Sequence, residues 1–412
     1  MILNGVKDFG HTSGLTALGR VPTKAQMCAG ETFAEPAASA GTSPRCEHAL
    51  HVFPSFGIGG VPLRMVRIIN HLGNRFHHTV VALDGNCEAA GGIADGIDVE
   101  IAPMQAAGRS MLRNVAHNAL TLRLAPPDLL LTYNWGAIEW AAASRFSRVP
   151  RHVHLEAGFG SREADSQIAR RVLFRRWALA RCTLVVVPSR RLEELARRVW
   201  RLPAARIVYI PNGVDIARFA EPDRDGIPGF VRRPGELIIG TVAPLRPEKN
   251  IGRLLRVFAA VQSPYALRLV IAGDGAERVA LERLAAELGI ADRVVFTGRV
   301  VPEAVLGAFD IFALSSDTEQ MPNALLEAMA AARAIAAVDV GDVKHILSED
   351  NREFIVERDD APAFARALTR LLRDPERRRA LGAANRRRVA GEFSQERMFA
   401  AYSRILSPGR TP

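Results

Sequence analysis

The chain has no run of about 18 uninterrupted apolar residues, the length a membrane-crossing helix needs. The nearest approach, ALLEAMAAARAIAAVDVG, is broken by Glu327 and Arg333. Cysteine is scarce. Cys28, Cys46, Cys87 and Cys182 stand far apart, without the close pairs of a zinc site or the density of a disulfide framework, and point to a reducing compartment. The N-terminus lacks the apolar core of a signal peptide. Residues 1–44 lack sustained periodicity and are rich in Gly, Ala, Ser, Thr and Pro; they read as a disordered leader or an over-extended start, and no function is assigned to them.

Acids are in deficit, leaving a net charge of +10. The excess concentrates between Arg162 and Arg206, where a dozen arginines meet four acids, mostly on two amphipathic helical patterns. No aromatic residues are set out there as stacking platforms, and no helix-turn-helix or zinc signature occurs, so nucleic acid is not the expected partner. Two readings fit this 162–206 region: a solvated arginine-rich surface, or a basic face against an anionic bilayer.

What is present is a long alternation of short apolar runs with helical patterns. ALHVF (49–53), TVVAL (79–83), DLLLT (128–132), RHVHL (151–155) and TLVVVPS (183–189) read as strands. After IPNGVD (210–215) the series restarts with LIIGTVA (237–243), LRLVIAG (267–273), VVFTG (294–298), DIFAL (310–314) and AIAAVD (334–339). Such alternation predicts parallel sheets covered by helices on both faces. The expected organisation is a Rossmann-like domain over 45–215, a Pro/Gly-rich linker over 216–236, a second Rossmann-like domain over 237–395, and a C-terminal helix and tail over 396–412. Ligands of such pairs sit in the cleft between the halves, outside the C-terminal ends of the strands.

The most informative stretch is TEQMPNALLEAMAA, 318–331, with Glu319 before Pro322 and Glu327 eight positions after the first acid. Proline suits the first position of a helix, which leaves the N–H groups of Asn323, Ala324 and Leu325 unpaired and partly positive, an anion site. A phosphate there has a carboxylate on each side, suited to accept hydrogen bonds from sugar hydroxyls. The plainer reading makes Glu319 a helix cap and Glu327 a solvated helix residue.

The segment SSDTEQMPNALLEAMA resembles the EX7E motif of retaining GT-B glycosyltransferases, family 4 in particular. The resemblance runs from about 49 to 400 and includes IPNGVDIARF, GTVAPLRPEKN, IAGDGAER and VVFTGRV. It implies the GT-B fold, two Rossmann-like domains with parallel sheets facing a central cleft. By the same resemblance Glu319 contacts the donor sugar near the reacting carbon, and Glu327 contacts the nucleotide ribose. Lys249 is aimed at the diphosphate, and Arg299 and Val300 lie on a donor-binding loop. Gly59 and Gly60 let the backbone approach the donor phosphates, and His154 contacts the donor sugar. GIGGVP is no dinucleotide fingerprint, because Pro62 stands where a small residue is required.

Three departures stand out. The family's usual arginine before the loop leucine is Pro244, with Arg246 two residues on as the nearest substitute. Ala157 replaces a second histidine, and Ala332 and Ala334 replace a glycine and a proline after the motif helix. The resemblance implies a retaining, metal-independent transferase without a cofactor, using a nucleotide-sugar donor and a glycan or lipid-linked acceptor, cytoplasmic and at the inner face of a membrane. The alternatives are a silent scaffold that binds nucleotide or a partner transferase, a GT-B sugar-nucleotide epimerase, and a nicotinamide-dependent oxidoreductase, the last disfavoured by the missing fingerprint.

Overall fold

The computed structural model describes residues 46–102, 110–159, 163, 167–220, 226–227 and 229–407. The leader expected over 1–44 lies outside them. Two parallel sheets organise the described residues. The first runs in the order β3-β2-β1-β4-β5-β6-β7, from β1 (Glu47–Phe53), β2 (Phe76–Ala82), β3 (Val99–Ala102), β4 (Leu129–Tyr133), β5 (Arg151–Leu155), β6 (Leu184–Val187) and β7 (Ile207–Tyr209). Its connections include α1 (Gly60–Leu72), α2 (Met111–Leu124), α3 (Ile138–Ser144), α4 (Ala169–Leu179) and α5 (Arg190–Arg198). The central strands β4 and β6 are buried at every position, which is why they read as continuous apolar runs rather than alternating ones.

The second sheet has the order β10-β9-β8-β11-β12-β13. It contains β8 (Leu237–Val242), β9 (Leu267–Ala272), β10 (Val294–Gly298), β11 (Ile311–Leu314), β12 (Ala334–Val338) and β13 (Ile355–Val356). Around it lie α6 (Ile251–Ala260), α7 (Arg278–Glu287), α8 (Pro302–Leu306), α9 (Asn323–Ala330), α10 (Val343–Ile346), α11 (Ala361–Arg373) and α12 (Pro375–Glu392). Both sheets change strand order beside their first strand, the crevice where open α/β sheets place ligands.

The first sheet has a separate core on each face. Met65, Ile68, Ile69 and Leu72 of α1 cover one side, together with Met398, Tyr402 and Leu406 of α13 (Gln395–Leu406). The other side carries α2 to α5, with Val115, Leu122, Ala142, Leu179, Leu192 and Trp200 buried beneath them. The last helix thus returns to the first half of the chain. Its return point is tied to the outgoing segment: Val214 N–H donates to Phe393 O (3.0 Å), and Gln395 N–H donates to Val214 O (2.9 Å). Phe219 and Ile227, from the stretch expected as a linker, are buried in the second core.

Candidate donor-binding site

The site starts from two loops at the C-terminal ends of β8 and β11. After β8 the chain passes Pro244 and Arg246, makes a 3-10 turn over Pro247–Lys249, and enters α6 through Asn250, whose left-handed φ of 42° lets its Oδ1 cap Arg253 N–H at 3.0 Å. Asn250 Nδ2 donates to both oxygens of Asp317 (3.2 and 3.0 Å), and Asp317 N–H donates to Glu248 O (2.9 Å). Ser315 Oγ donates to Lys249 O (3.0 Å), and Arg253 donates to Ser315 O (2.7 Å) and Asp317 Oδ1 (2.6 Å). Stitched this way, the loops bring Lys249 Nζ to 2.5 Å from Glu319 Oε1, an oxygen that also accepts from Ser316 Oγ at 2.8 Å.

Two glycines permit this folding. Gly341, at φ 56°, passes so close that a Cβ would fall 2.2 Å from Glu319 O. Gly273, at φ 147°, leaves no room either, since a Cβ there would lie 1.8 Å from Ala243 O in the β8 loop. Any side chain at these positions would displace the Glu319 and Lys249 loops.

The motif helix begins one residue later than expected. Pro322 is its N-cap, with extended ψ of 118°, and Asn323 is the first helical residue. Leu325 N–H donates to Pro322 O at 3.2 Å, so it is not free for an anion. The correction follows from the cap geometry: an N-cap carbonyl already accepts from the first turn. The N–H groups of Asn323 and Ala324 have no acceptor among the described residues. The Asn323 side chain meets the other half of the chain, where a Cβ on Gly60 would stand 3.4 Å from its Nδ2. Gly59, the N-cap of α1, is extended there. Asn212 of the PNG segment fixes the approach, donating through Nδ2 to Asn323 Oδ1 (2.8 Å) and Met321 O (3.0 Å) while accepting from Arg64.

Glu327 is half-buried, and loss of hydration pushes its carboxyl up to about 7. Arg67 and Arg218 pull it down and Glu303 raises it. Near neutrality it therefore exists in both protonation states. Arg246 is exposed, and its guanidinium has no partner among the described residues; Pro244 beside it is exposed too. Arg299 is exposed just after β10, while Val300 packs against the second core.

His154 differs from its expected role. It is fully buried, with Nδ1 2.8 Å from Thr132 Oγ1 and Nε2 3.7 Å from Glu156 Oε2. Parallel register sets His154 beside Thr132 of β4, and that hydrogen bond draws the ring into the layer under α3 and α4 rather than out of the strand end. So placed, it offers no atom to a sugar. Below it, His152 touches the Thr132 and Ser144 hydroxyls (2.9 and 3.0 Å) and is held down to about 3, chiefly by burial.

Three residues that sequence reasoning did not single out close the two halves on each other. Asp342, buried, accepts from Arg190 N–H (2.6 Å) and Arg191 N–H (3.1 Å) at the start of α5. Ser189 caps the same helix through Leu192 N–H and donates to Gln320 Oε1 at 3.2 Å. Asp342 sits in VGDV, which carries no local signal of a partner 150 residues away; Asn212 lay inside a quoted motif, but its contacts are not written in it.

Comparisons with known proteins bear on the family and the fold. The family model for glycosyl transferases group 1 matches residues 227–388, and the model for glycosyltransferase family 4 matches residues 58–218, together well over half of the chain. D-inositol 3-phosphate glycosyltransferase of Nocardia farcinica is 29% identical over 307 residues, 68% of this chain and 67% of that protein. GDP-mannose-dependent alpha-(1-6)-phosphatidylinositol monomannoside mannosyltransferase of Mycolicibacterium smegmatis is 29% identical over 50% of this chain and 58% of its own length. The chain thus spans from about half to two thirds of the curated relatives it matches. Among solved structures, Anabaena Alr3699/HepE in complex with UDP superposes with a TM-score of 0.74 at 18% identity, covering 88% of this chain and 99% of that one. With two parallel α/β units, the EX7E glutamates and both family models in agreement, the chain belongs to the family 4 glycosyltransferases of the GT-B fold.

Proposed function

We propose that the protein is a retaining, metal-independent glycosyltransferase that moves a sugar from a nucleotide-sugar donor to an acceptor hydroxyl, in bacterial polysaccharide or lipid-linked glycan assembly at the cytoplasmic face of a membrane. One observation carries the reading: the Lys249–Glu319 pair joins the loop after β8 to the loop that leads to the free amides of Asn323 and Ala324, and the Asn323 side chain lies opposite Gly60. A diphosphate at that helix start gains two N–H donors and the positive end of α9. Lys249 then exchanges Glu319 for phosphate oxygen, which frees the carboxylate for the donor's hydroxyls. The bond from the anomeric carbon to phosphate oxygen breaks as the bond to the acceptor oxygen forms on the same face. The acceptor's proton passes to the departing diphosphate. Donors fixed in place where negative charge develops contribute most to such a step. The Anabaena neighbour is described in complex with UDP and with UDP-glucose, which favours uridine donors as the first to try.

The test is donor turnover. Nucleoside diphosphate release and the anomeric configuration of the product, read by NMR, are compared for the native chain and Glu319→Ala. A product that keeps the donor's configuration, lost in Glu319→Ala, supports the proposal; an inverted product contradicts it. A second reading, a silent nucleotide-binding scaffold, is favoured by Pro244 in the arginine position with Arg246 unpartnered. Nucleotide binding without release of diphosphate from any donor would select it.

A further inference from the structure

The outer surface of the helical layer over the first sheet is both greasy and basic. Leu112, Leu120 and Leu124, two turns and then one turn apart, lie on the exposed side of α2, and Leu112 and Leu124 are 83% and 79% exposed. On α4 the outward positions are Arg170, Leu173, Arg176 and Trp177, with Leu173 66% exposed. The two helices are joined across α3 by Phe146, also exposed. Arg123 Nε donates to Phe146 O (2.6 Å), the Phe146 and Trp177 rings lie 6.1 Å apart, and Arg145 sits 4.8 Å over the Trp177 ring. A single protein face thus carries several large apolar side chains that the core does not need.

Its charge is of one sign. Arg113, Arg123, Arg148, Arg170, Arg176 and Arg181 are exposed around it. The nearby acids among the described residues are engaged elsewhere: Asp128 on His48 N–H, Glu139 on Asn114, Glu163 on Arg171 and Arg175. On α5, the other basic helix of the 162–206 region, Arg190 pairs with Glu193 and Arg198 with Glu194, while Arg191 and Arg197 are exposed. The basic surface that also carries exposed leucines is α2 with α4.

We propose that this α2–α4 face docks on an anionic phospholipid bilayer, and that the acceptor is accordingly held in that bilayer by a lipid. Exposed leucines and an edge-lying tryptophan insert among acyl chains and headgroups, while arginines meet anionic headgroups and their aliphatic stems lie along the interface. The helices begin at the sheet edge where the strands end, so a docked face sets the cleft beside the membrane surface. Docking stands on its own; the acceptor class rests on the transferase reading.

Vesicle co-sedimentation tests it, with phosphatidylcholine alone and with added phosphatidylglycerol. Binding is expected only with the anionic lipid. The triple variant Arg113→Gln, Arg170→Gln, Arg176→Gln should bind about 100-fold more weakly, at about fivefold per arginine. The variant Leu112→Ser, Leu124→Ser, Leu173→Ser should lose binding at low salt as well. Nucleotide affinity should be unchanged in both. Equal binding to neutral vesicles, no vesicle binding by the native chain, or a native dimer that the leucine variant converts to monomer would each overturn the proposal, the last assigning the face to a second copy. Absent vesicle binding with intact donor turnover sinks the docking alone; vesicle binding without nucleotide binding sinks the transferase reading alone.

Discussion

Lys249 and Glu319 neutralise each other at 2.5 Å, so each is held by the partner it must surrender when a donor arrives. Removing Lys249 takes away the cation beside the departing diphosphate. Lys249→Ala is expected to lower turnover about 10²–10³-fold, measured as diphosphate release. Glu319→Ala should cost as much turnover while leaving nucleotide affinity within a few-fold. Glu327 carries a pH signature. With its carboxyl at about 7, the ionised form that accepts from ribose hydroxyls gains population as pH rises. Donor affinity should therefore strengthen from pH 6 to pH 8 by roughly tenfold, since one shifted group changes binding by at most tenfold per pH unit. A nucleotide sugar is the right ligand, because its phosphates do not titrate there, and Glu327→Gln should flatten the profile. A flat native profile would contradict the assignment. Pro244→Arg asks whether the missing cation matters: a large gain in turnover shows impairment, and no change shows that Arg246 suffices.

At the level of elements, α5 owes its first turn to two halves of the chain. Ser189 satisfies Leu192 N–H, and Asp342 satisfies Arg190 and Arg191 N–H from across the cleft. Asp342→Ala should destabilise the fold by about 1–3 kcal/mol, the cost of leaving buried donors unpaired, and should raise hydrogen exchange at the start of α5. Unchanged exchange there would show that the contact does not hold the halves together. Sequence periodicity found the interior strands because burial on both faces makes them apolar throughout. It missed β3, β7 and β13, of which β3 and β7 are partly exposed and β13 is only two residues long. The motif loop was legible because Glu319, Pro322 and Glu327 lie within one segment. Asp342 was not, since its meaning lies in amides distant in sequence. His154 misled because position at a strand end does not reveal the neighbour, Thr132, that turns the ring inward.

Across the whole molecule, the first sheet buries a row of neutral histidines. Burial lowers His48 and His51, holds His78 down to about 4, and holds His152 to about 3. In the unfolded chain these groups take up protons near pH 6.5, so the folded state binds fewer protons below that pH and loses stability as pH falls. The buried His51, His78 and His152 each contribute a decline approaching about 1.4 kcal/mol per pH unit until the folded pKa is reached, and the half-buried His48 contributes less. Glu327 works the other way between 7 and 4.5, as one group against several. Urea unfolding should therefore show a steep loss of stability from pH 6.5 to pH 5, and equal stability at both would contradict the buried neutral row. The GT-B architecture follows from the restart of strand–helix alternation after residue 215, and the closing return of α13 to the first sheet explains why the halves stay joined at adjacent crossings.

The central claim is that the start of α9, with Lys249 beside it, holds a nucleoside diphosphate. Calorimetric titration of uridine, guanosine and adenosine diphosphates into the native chain and into Lys249→Ala tests it most directly. A preference for one base, with affinity falling about tenfold or more in the variant as a charge-assisted contact of roughly 1.5–3 kcal/mol is lost, is the predicted result. Indifference of the native chain to every nucleotide would contradict it.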